Sequence, residues 1–305
     1  MPPYAFFQKQ FVPLEEAKIG IMTHALHYGT AVFEGIRGNW NNEQKQLYIF
    51  RLKNHYQRLI RGCRVLNIDL PYSADELCRI TVELASKGDF KEDIYIRPLA
   101  YKSSQELGLR VHNLDDDFLV FAFPWGPYLD MDTARCGVSS WVRPSCNMIP
   151  PQAKITGLYA NNSLAKTEAI LNGFDEAIML TPDGYVSEGS GENIFIVING
   201  ELFTPASYNN ILIGITRHTV MELAQKELGL KTTEMRIDRS ELYTADECFL
   251  TGTAAHLTPV SEVDHRKIGN GEVGEITKKL QTIYMESIRG NNPKYLKWCT
   301  PVYKK

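Results

Sequence analysis

Two closely spaced turn signals constrain this chain more than any other feature. Pro182-Asp183-Gly184 separates the apolar run EAIMLT (176–181) from YVSEGSGENIFIVI (185–198), and Asn199-Gly200 then precedes ELFTP (201–205). Asn-Gly is the favoured pair for a type I′ turn, whose twist matches that of the strands it joins. The stretch therefore reads as successive antiparallel strands, with 185–198 continuous between the two turns.

Helical periods alternate with strand patterns elsewhere. LYIFRL (47–52) reads as a strand, and Lys53–Leu66 follows with Leu59, Cys63 and Leu66 at helical spacing. Ser73 and Glu76 form an S-x-x-E capping box; Leu77, Ile80 and Leu84 line one face, and Gly88 stands at the stop position. DIYIRPLAY (93–101) and DFLVFAFPW (117–125) predict strands, the second apolar on both faces. CGVSSWV (136–142) predicts another, and a helix ending at Gly173 carries Leu164, Glu168 and Leu171 at turn spacing. Thr216 is placed to cap a helix with Val220, Leu223, Ala224 and Leu228, stopped by Gly229, and Ile276, Leu280 and Ile283 mark a last helix ending at Gly290. GPYLDMDT (126–133) combines glycine, proline and acids after a buried strand. The expectation is two α+β domains, 1–126 and 134–305, joined by an interdomain loop at 127–133.

Composition enters by exclusion. With 33 basic and 36 acidic side chains the net charge is -3, which favours neither nucleic acid nor an anionic membrane. No apolar run approaches a membrane span, and MPPYAFFQKQ lacks a basic-then-apolar leader, so the cytosol is the simplest compartment. Six cysteines without a C-x-x-C pair read as reduced packing thiols. His24 and His27 have no further ligand cluster, so no metal is expected. Gly269-x-Gly271-x-x-Gly274 matches a dinucleotide fingerprint, but too little chain follows it for the βαβ unit that binding requires; a glycine-rich turn is the expectation.

The residues that carry chemistry are dispersed. Lys154 follows the Pro150-Pro151 break, and a desolvated lysine is a competent Schiff-base former and general base. Glu188 lies in SEGSGEN (187–193), where Gly189 and Gly191 permit close backbone approach and a carboxylate can keep an aromatic nitrogen protonated. Gly214-Ile215-Thr216 opens a helix, TGTAA (251–255) forms a second N–H-rich turn, and Arg51 is a candidate bidentate cation; all three suit phosphate.

Seven ordered blocks give these residues a common meaning: MTHALHYGTAVFEGIRG (22–38), YIRPL (95–99), AFPWGPYL (122–129), QAKITGLYANN (152–162), SEGSGENIF (187–195), GITR (214–217) and TGTAAHLTPV (251–260). In them the chain resembles the branched-chain-amino-acid aminotransferases, two-domain fold-type IV (class IV) enzymes of the D-amino-acid-aminotransferase-like α+β fold, dependent on pyridoxal 5'-phosphate. The resemblance implies that Lys154 carries the cofactor's Schiff base, that Glu188 contacts the pyridine nitrogen and that Tyr159 hydrogen-bonds the phenolic oxygen. It puts Arg51, the Ile215 and Thr216 N–H groups and Thr253 on the phosphate.

For substrate, the resemblance implies a pocket of Tyr28, Phe33, Gly35, Trp125, Tyr128 and Tyr159. Tyr95 and the Thr253 and Ala254 backbone would hold the α-carboxylate, and Arg97 the distal carboxylate of glutamate. The implied activity is a ping-pong exchange of amino groups between leucine, isoleucine or valine and 2-oxoglutarate, in a homodimer or larger homo-oligomer. D-amino-acid and (R)-amine aminotransferases and aminodeoxychorismate lyase share the fold, but the YIRP and FEGIR blocks argue against them. A cofactor-binding protein without turnover is a further alternative, opposed by the presence of Lys154, Tyr159, Glu188 and Arg51 together. The loop SSQELGLRVHN (103–113) departs from the glycine-rich turn of many relatives, only Gly108 and Leu109 being comparable.

Overall fold

The computed structural model describes residues 4–126 and 132–303. Its contacts divide the chain into a first unit of Met1–Gly126, Ala153–Gly157 and Glu286–Lys305 and a second of Pro127–Gln152 and Leu158–Met285. Lys154, assigned to 134–305 by position along the chain, groups with the first unit. Most of the 127–133 loop, including Tyr128, lies outside the described residues.

The first unit holds β1 (Tyr4–Phe7), β2 (Gln10–Pro13), β3 (Ala31–Phe33), β4 (Ile36–Asn41), β5 (Gln46–Phe50), β6 (Ile94–Lys102) and β7 (Asp116–Pro124). With the C-terminal strand Cys299–Pro301 they form an antiparallel sheet, ordered C-terminal strand, β5, β4, β6, β7, β1, β2. β3 and β4 share one edge of β6, with Phe33 opposite Leu99 and Ile36 opposite Ile96. Glu34-Gly35 interrupts them at Pro98, which has no N–H for the ladder but whose carbonyl accepts from the Glu34 N–H. On β7 the burial alternates: Phe118, Val120 and Ala122 are buried, whereas Phe121 and Phe123 are half-exposed and stack on each other.

Three helices accompany this sheet: α1 (His24–Tyr28), α2 (Leu52–Val65) and α3 (Ala74–Gly88). α2 buries Leu52, Tyr56, Leu59 and Cys63, and α3 buries Leu77, Leu84 and Ala85. The Ser73–Glu76 capping box forms as expected. The stop is different: Asp89, not Gly88, takes the left-handed conformation, at φ 47°. Gly88 is needed for another reason, since a Cβ there would lie 2.2 Å from the Phe90 ring.

The second unit contains β8 (Ala134–Val138), β9 (Glu176–Leu180), β10 (Val186–Gly189), β11 (Asn193–Ile198), β12 (Glu201–Pro205), β13 (Thr232–Met235), β14 (Glu247–Gly252), β15 (His256–Val263) and β16 (Arg266–Lys267). They pair in the order β10, β9, β8, β15, β14, β11, β12, β13, with β16 on β15. β8 is parallel to β9 and β15, and β13 is parallel to β12; the other pairings are antiparallel. Ile178, Val186, Ile194, Ile196, Cys248, Leu250 and Val260 are among its core residues. Both predicted turns form, with Asn199 at φ 51° and Gly200 at φ 78° as a type I′ turn requires. The segment 185–198 is not one strand, however: it breaks at Ser190–Glu192, so that β10 pairs with β9 while β11 pairs with β12 and β14.

The unit's helices are α4 (Tyr159–Leu171), α5 (Ile215–Glu227), α6 (Arg239–Thr244) and α7 (Glu275–Ile288), the last passing into the first unit at its end. Three expectations are corrected. β8 stops at Val138 because the Ser140 N–H and hydroxyl both donate to Glu168 of α4, ending the ladder. α4 buries Asn162, Ala165 and Ala169, while Leu164 and Leu171 are exposed. Thr216 lies inside α5 instead of capping it, the N-cap being Gly214. Among the described residues no helix is long and apolar enough to cross a membrane.

Candidate active site

In the first unit, the β3–β4 interruption gathers most of the predicted pocket. Phe33 donates its N–H to the Lys154 carbonyl at 3.0 Å, and the Lys154 ammonium lies 4.8 Å from the Phe33 ring centre. The Arg97 guanidinium is 4.6 Å from the same ring and donates to the Tyr95 hydroxyl at 2.9 Å. Arg97 Nε is buried without a hydrogen-bond partner among the described residues. A Cβ on Gly35 would lie 2.2 Å from the Tyr95 hydroxyl, so glycine lets that ring approach the backbone. Trp125 meets Tyr95 edge-on at 4.5 Å, and Arg37 holds the Trp125 and Gly126 carbonyls at 2.8 and 3.0 Å.

Behind this cluster lies a buried ionic group that the sequence reading missed. Arg58 donates to both Glu34 oxygens, at 2.6 and 2.8 Å, and His55 Nδ1 lies 2.8 Å from the second. Burial alone would raise the Glu34 carboxyl, but Arg58 and His55 hold it down, to about 2. Burial pushes the His55 imidazole below its ordinary range, against the pull of Glu34. The anchored Glu34 sits between Phe33 and Gly35 and so fixes the backbone of both. A glutamate in FEGIR and the His55-x-x-Arg58 spacing on α2 were the available signals.

Tyr28 and Arg51 are engaged elsewhere in the unit. Tyr28 lies 4.7 Å from the His24 ring, and its hydroxyl accepts from the Gly108 N–H. His24 uses both ring nitrogens, toward Thr30 Oγ1 and the Gly108 carbonyl, and His27 Nε2 meets the Ile21 carbonyl. Gly108 thus ties the 103–113 loop to α1. Arg51 occupies the α2 N-cap against the C-terminal segment.

The second unit brings three motifs together. Glu188 follows a register shift in β10, and its carboxylate is gripped from several sides. Arg143 Nη2 lies 2.7 Å from Oε1, Asn193 donates to Oε2 at 2.8 Å, and the Leu212 N–H donates at 3.1 and 3.2 Å. Asn193 also donates to the Leu212 carbonyl, and a Cβ on Gly214 would lie 2.0 Å from its Oδ1. The chain leading into α5 is therefore docked on Glu188 through Asn193. Asn193 also pairs with Thr251 across β11 and β14, which places the start of the 251–255 turn beside it. Thr253 and Ala254 are half-buried in that turn, and Tyr159 is half-buried as the first residue of α4. Gly189 is required by Glu192, whose carbonyl accepts the Gly189 N–H and whose side chain fills the space of a Cβ; Gly191 faces open space.

Arg143 was not anticipated. It is almost wholly buried, donates to Asn162 and pairs with Glu188. A guanidinium in this position favours the ionised carboxylate, and removing it would leave a buried charge unpaired. Nothing in SSWVR marks it, because an arginine after a strand is ordinarily a solvated residue.

The α5 N-terminus differs from those of α3, α6 and α7. The first two carry capping boxes, and Glu247 accepts from the Ile276 and Thr277 N–H groups of α7. α5 has neither a side-chain cap nor an acid in its first turn. Helix N-termini of this kind accept anions, phosphate among them. The glycine-rich run 269–274 is a turn with Gly269 and Gly271 at positive φ, and its helix is capped by the chain's own Glu247. Within the second unit, a buried carboxylate paired with a guanidinium and a helix start without a side-chain cap suit a basic ring nitrogen and a phosphate.

The family model for amino-transferase class IV matches residues 31–263. The chain belongs to the class IV aminotransferases. Within that class it is similar to a probable branched-chain-amino-acid aminotransferase of Aquifex aeolicus, 52% identical over 303 residues, which are 99% of this chain and 97% of the relative. The branched-chain aminotransferase of Thermoproteus uzoniensis, solved with norvaline, superposes at a TM-score of 0.94 with 45% identity, over 98% of this chain and 99% of that one. That of Thermobaculum terrenum, solved in its PLP form, gives 0.95 with 38% identity over 99% of both chains.

Proposed function

We propose that this chain is a branched-chain-amino-acid transaminase dependent on pyridoxal 5'-phosphate, exchanging the amino group between leucine, isoleucine or valine and 2-oxoglutarate. The observation that carries the reading is the Phe33 ring with the Lys154 amine on it at 4.8 Å and the Arg97 guanidinium at 4.6 Å. An apolar wall flanked by an amine and an arginine serves two substrates in turn. Phe33, Tyr95 and Trp125 meet an aliphatic side chain, and Arg97 pairs with the distal carboxylate of glutamate, which an apolar pocket would otherwise exclude.

The bound cofactor supplies an electron sink for the substrate's Cα carbanion. With the cofactor bound, Lys154 Nζ would be the base that moves the substrate's Cα proton. Glu188, paired with Arg143, would hold a proton on the cofactor's pyridine nitrogen, and Tyr159 would donate to its phenolic oxygen. Arg51, the Ile215 and Thr216 N–H groups and Thr253 would hold its phosphate. On the same reading Tyr95 with the Thr253 and Ala254 backbone would orient the α-carboxylate, while Gly35 and Tyr28, whose hydroxyl meets the Gly108 N–H, would border the side-chain pocket. The active form is a cytosolic homodimer or an oligomer of dimers.

Titrating the cofactor spectrum with single amino acids tests this directly. L-Leucine, L-isoleucine, L-valine and L-glutamate are each expected to convert the cofactor to its aminated form, and D-alanine is not. Lys154→Ala is expected to lose the lysine-bound cofactor absorbance and all turnover; transamination retained by that variant would remove Lys154 from the reaction.

A further inference from the structure

We propose that Trp298 is a positioning residue for cofactor phosphate binding: the C-terminal segment sets both the backbone and the guanidinium of Arg51. The inference rests on the reading of Arg51 as a phosphate ligand. Arg51 joins β5 to α2 with φ 48° and ψ 37°, a left-handed conformation that residues other than glycine seldom adopt and that surrounding contacts must hold. Two contacts do so from one residue. The Arg51 N–H donates to the Trp298 carbonyl at 2.6 Å, and the guanidinium carbon lies 4.0 Å from the centre of the indole ring.

Trp298 is itself restrained. Its ring stacks on Tyr295 at 4.2 Å and meets Phe50 edge-on at 6.0 Å. The next residues, Cys299–Pro301, pair with Phe50, Ile49 and Tyr48 of β5, so the tail is tied to the strand that ends at Arg51. Stacking engages the face of a guanidinium, whereas a phosphate is bound by its in-plane N–H edge. The indole, 4.0 Å from the guanidinium carbon, is a π-face contact that does not itself take up N–H groups needed by the anion. It also adds to the Phe50 ring, 5.9 Å away, in restricting the rotamers of a long side chain.

The test compares the dissociation constants of pyridoxal 5'-phosphate and of pyridoxal, which lacks the phosphate, on the full chain by cofactor absorbance. Trp298→Ala is expected to weaken the phosphorylated form about thirtyfold, the size of a desolvated cation–π contact, and to leave pyridoxal unchanged. Arg51→Ala should lose more, and Trp298→Ala added to Arg51→Ala should lose nothing further. Equal weakening of both ligands by Trp298→Ala, or no weakening of either, would overturn the positioning role. An Arg51→Ala variant with unchanged affinity would instead overturn the phosphate reading itself. Should Trp298→Ala not fold, Trp298→Phe and Trp298→Leu decide: Phe retains the aromatic face and is expected to keep the phosphate preference, Leu to lose it, and equal behaviour of the two counts against the proposal.

Discussion

Arg97 shows how one side chain can make a pocket serve two chemistries. It packs on Phe33, donates to the Tyr95 hydroxyl and leaves Nε buried without a partner among the described residues. Removing it is expected to lower kcat/KM for glutamate and 2-oxoglutarate about a hundredfold, as for lost hydrogen bonds to a charged group. Leucine, which needs only the apolar wall, should lose a few-fold. Steady-state kinetics with both donors checks this, and an equal loss would exclude Arg97 from specificity. Lys154, Glu188 and Arg97 stand out as candidates because each lies inside a recognisable motif. Arg143, Glu34 and Trp298 do not, because their importance comes from partners distant in sequence.

At the scale of elements, helix starts separate structural from functional ends. Glu247 satisfies the first N–H groups of α7 through the Ile276 and Thr277 amides and the Thr277 hydroxyl, which gives 269–274 a purely structural role. Glu247→Ala is expected to lower stability by about 1–2 kcal/mol, the usual cost of a lost cap. Urea unfolding measures it, and pyridoxal 5'-phosphate affinity should not change. The capping box at Ser73 was readable from sequence because it is local, spanning one turn. The Glu247 cap was not, since it joins residues nearly a strand and a hairpin apart. The exposed Leu164 and Leu171 of α4 have the same cause: helical spacing locates an apolar stripe, but packing decides which stripe is buried, and here small Ala165 and Ala169 let the helix approach the sheet.

Across the whole molecule, burial creates a pH dependence outside the catalytic groups. Glu192 is buried beside Glu176, which is already paired with Lys166 and Ser190. Burial first, and then the Glu176 charge, push its carboxyl up to about 8. In the unfolded chain the same group ionises in the ordinary carboxyl range, so the folded state holds the additional proton across the window between them. Stability is present below that window and is lost as pH rises through it toward 8. Glu192→Gln, which keeps an acceptor for the Gly191 N–H, is expected to flatten the loss: its Tm should exceed that of the unsubstituted chain at about pH 9 and match it at about pH 4. Parallel Tm profiles would refute the assignment.

Local physics settled much in advance. The Asn199-Gly200 turn and the Ser73 capping box follow from dihedral preferences and side-chain spacing within a few residues, so these elements could be read before the fold was known. Only tertiary structure decided that Ala153–Gly157 and Glu286–Lys305 join the first unit, that Arg143 closes on Glu188, and that Trp298 lies on Arg51. Those pairings depend on sheet register and on burial that leaves a charged group no solvent, and both exist only once distant segments have packed together.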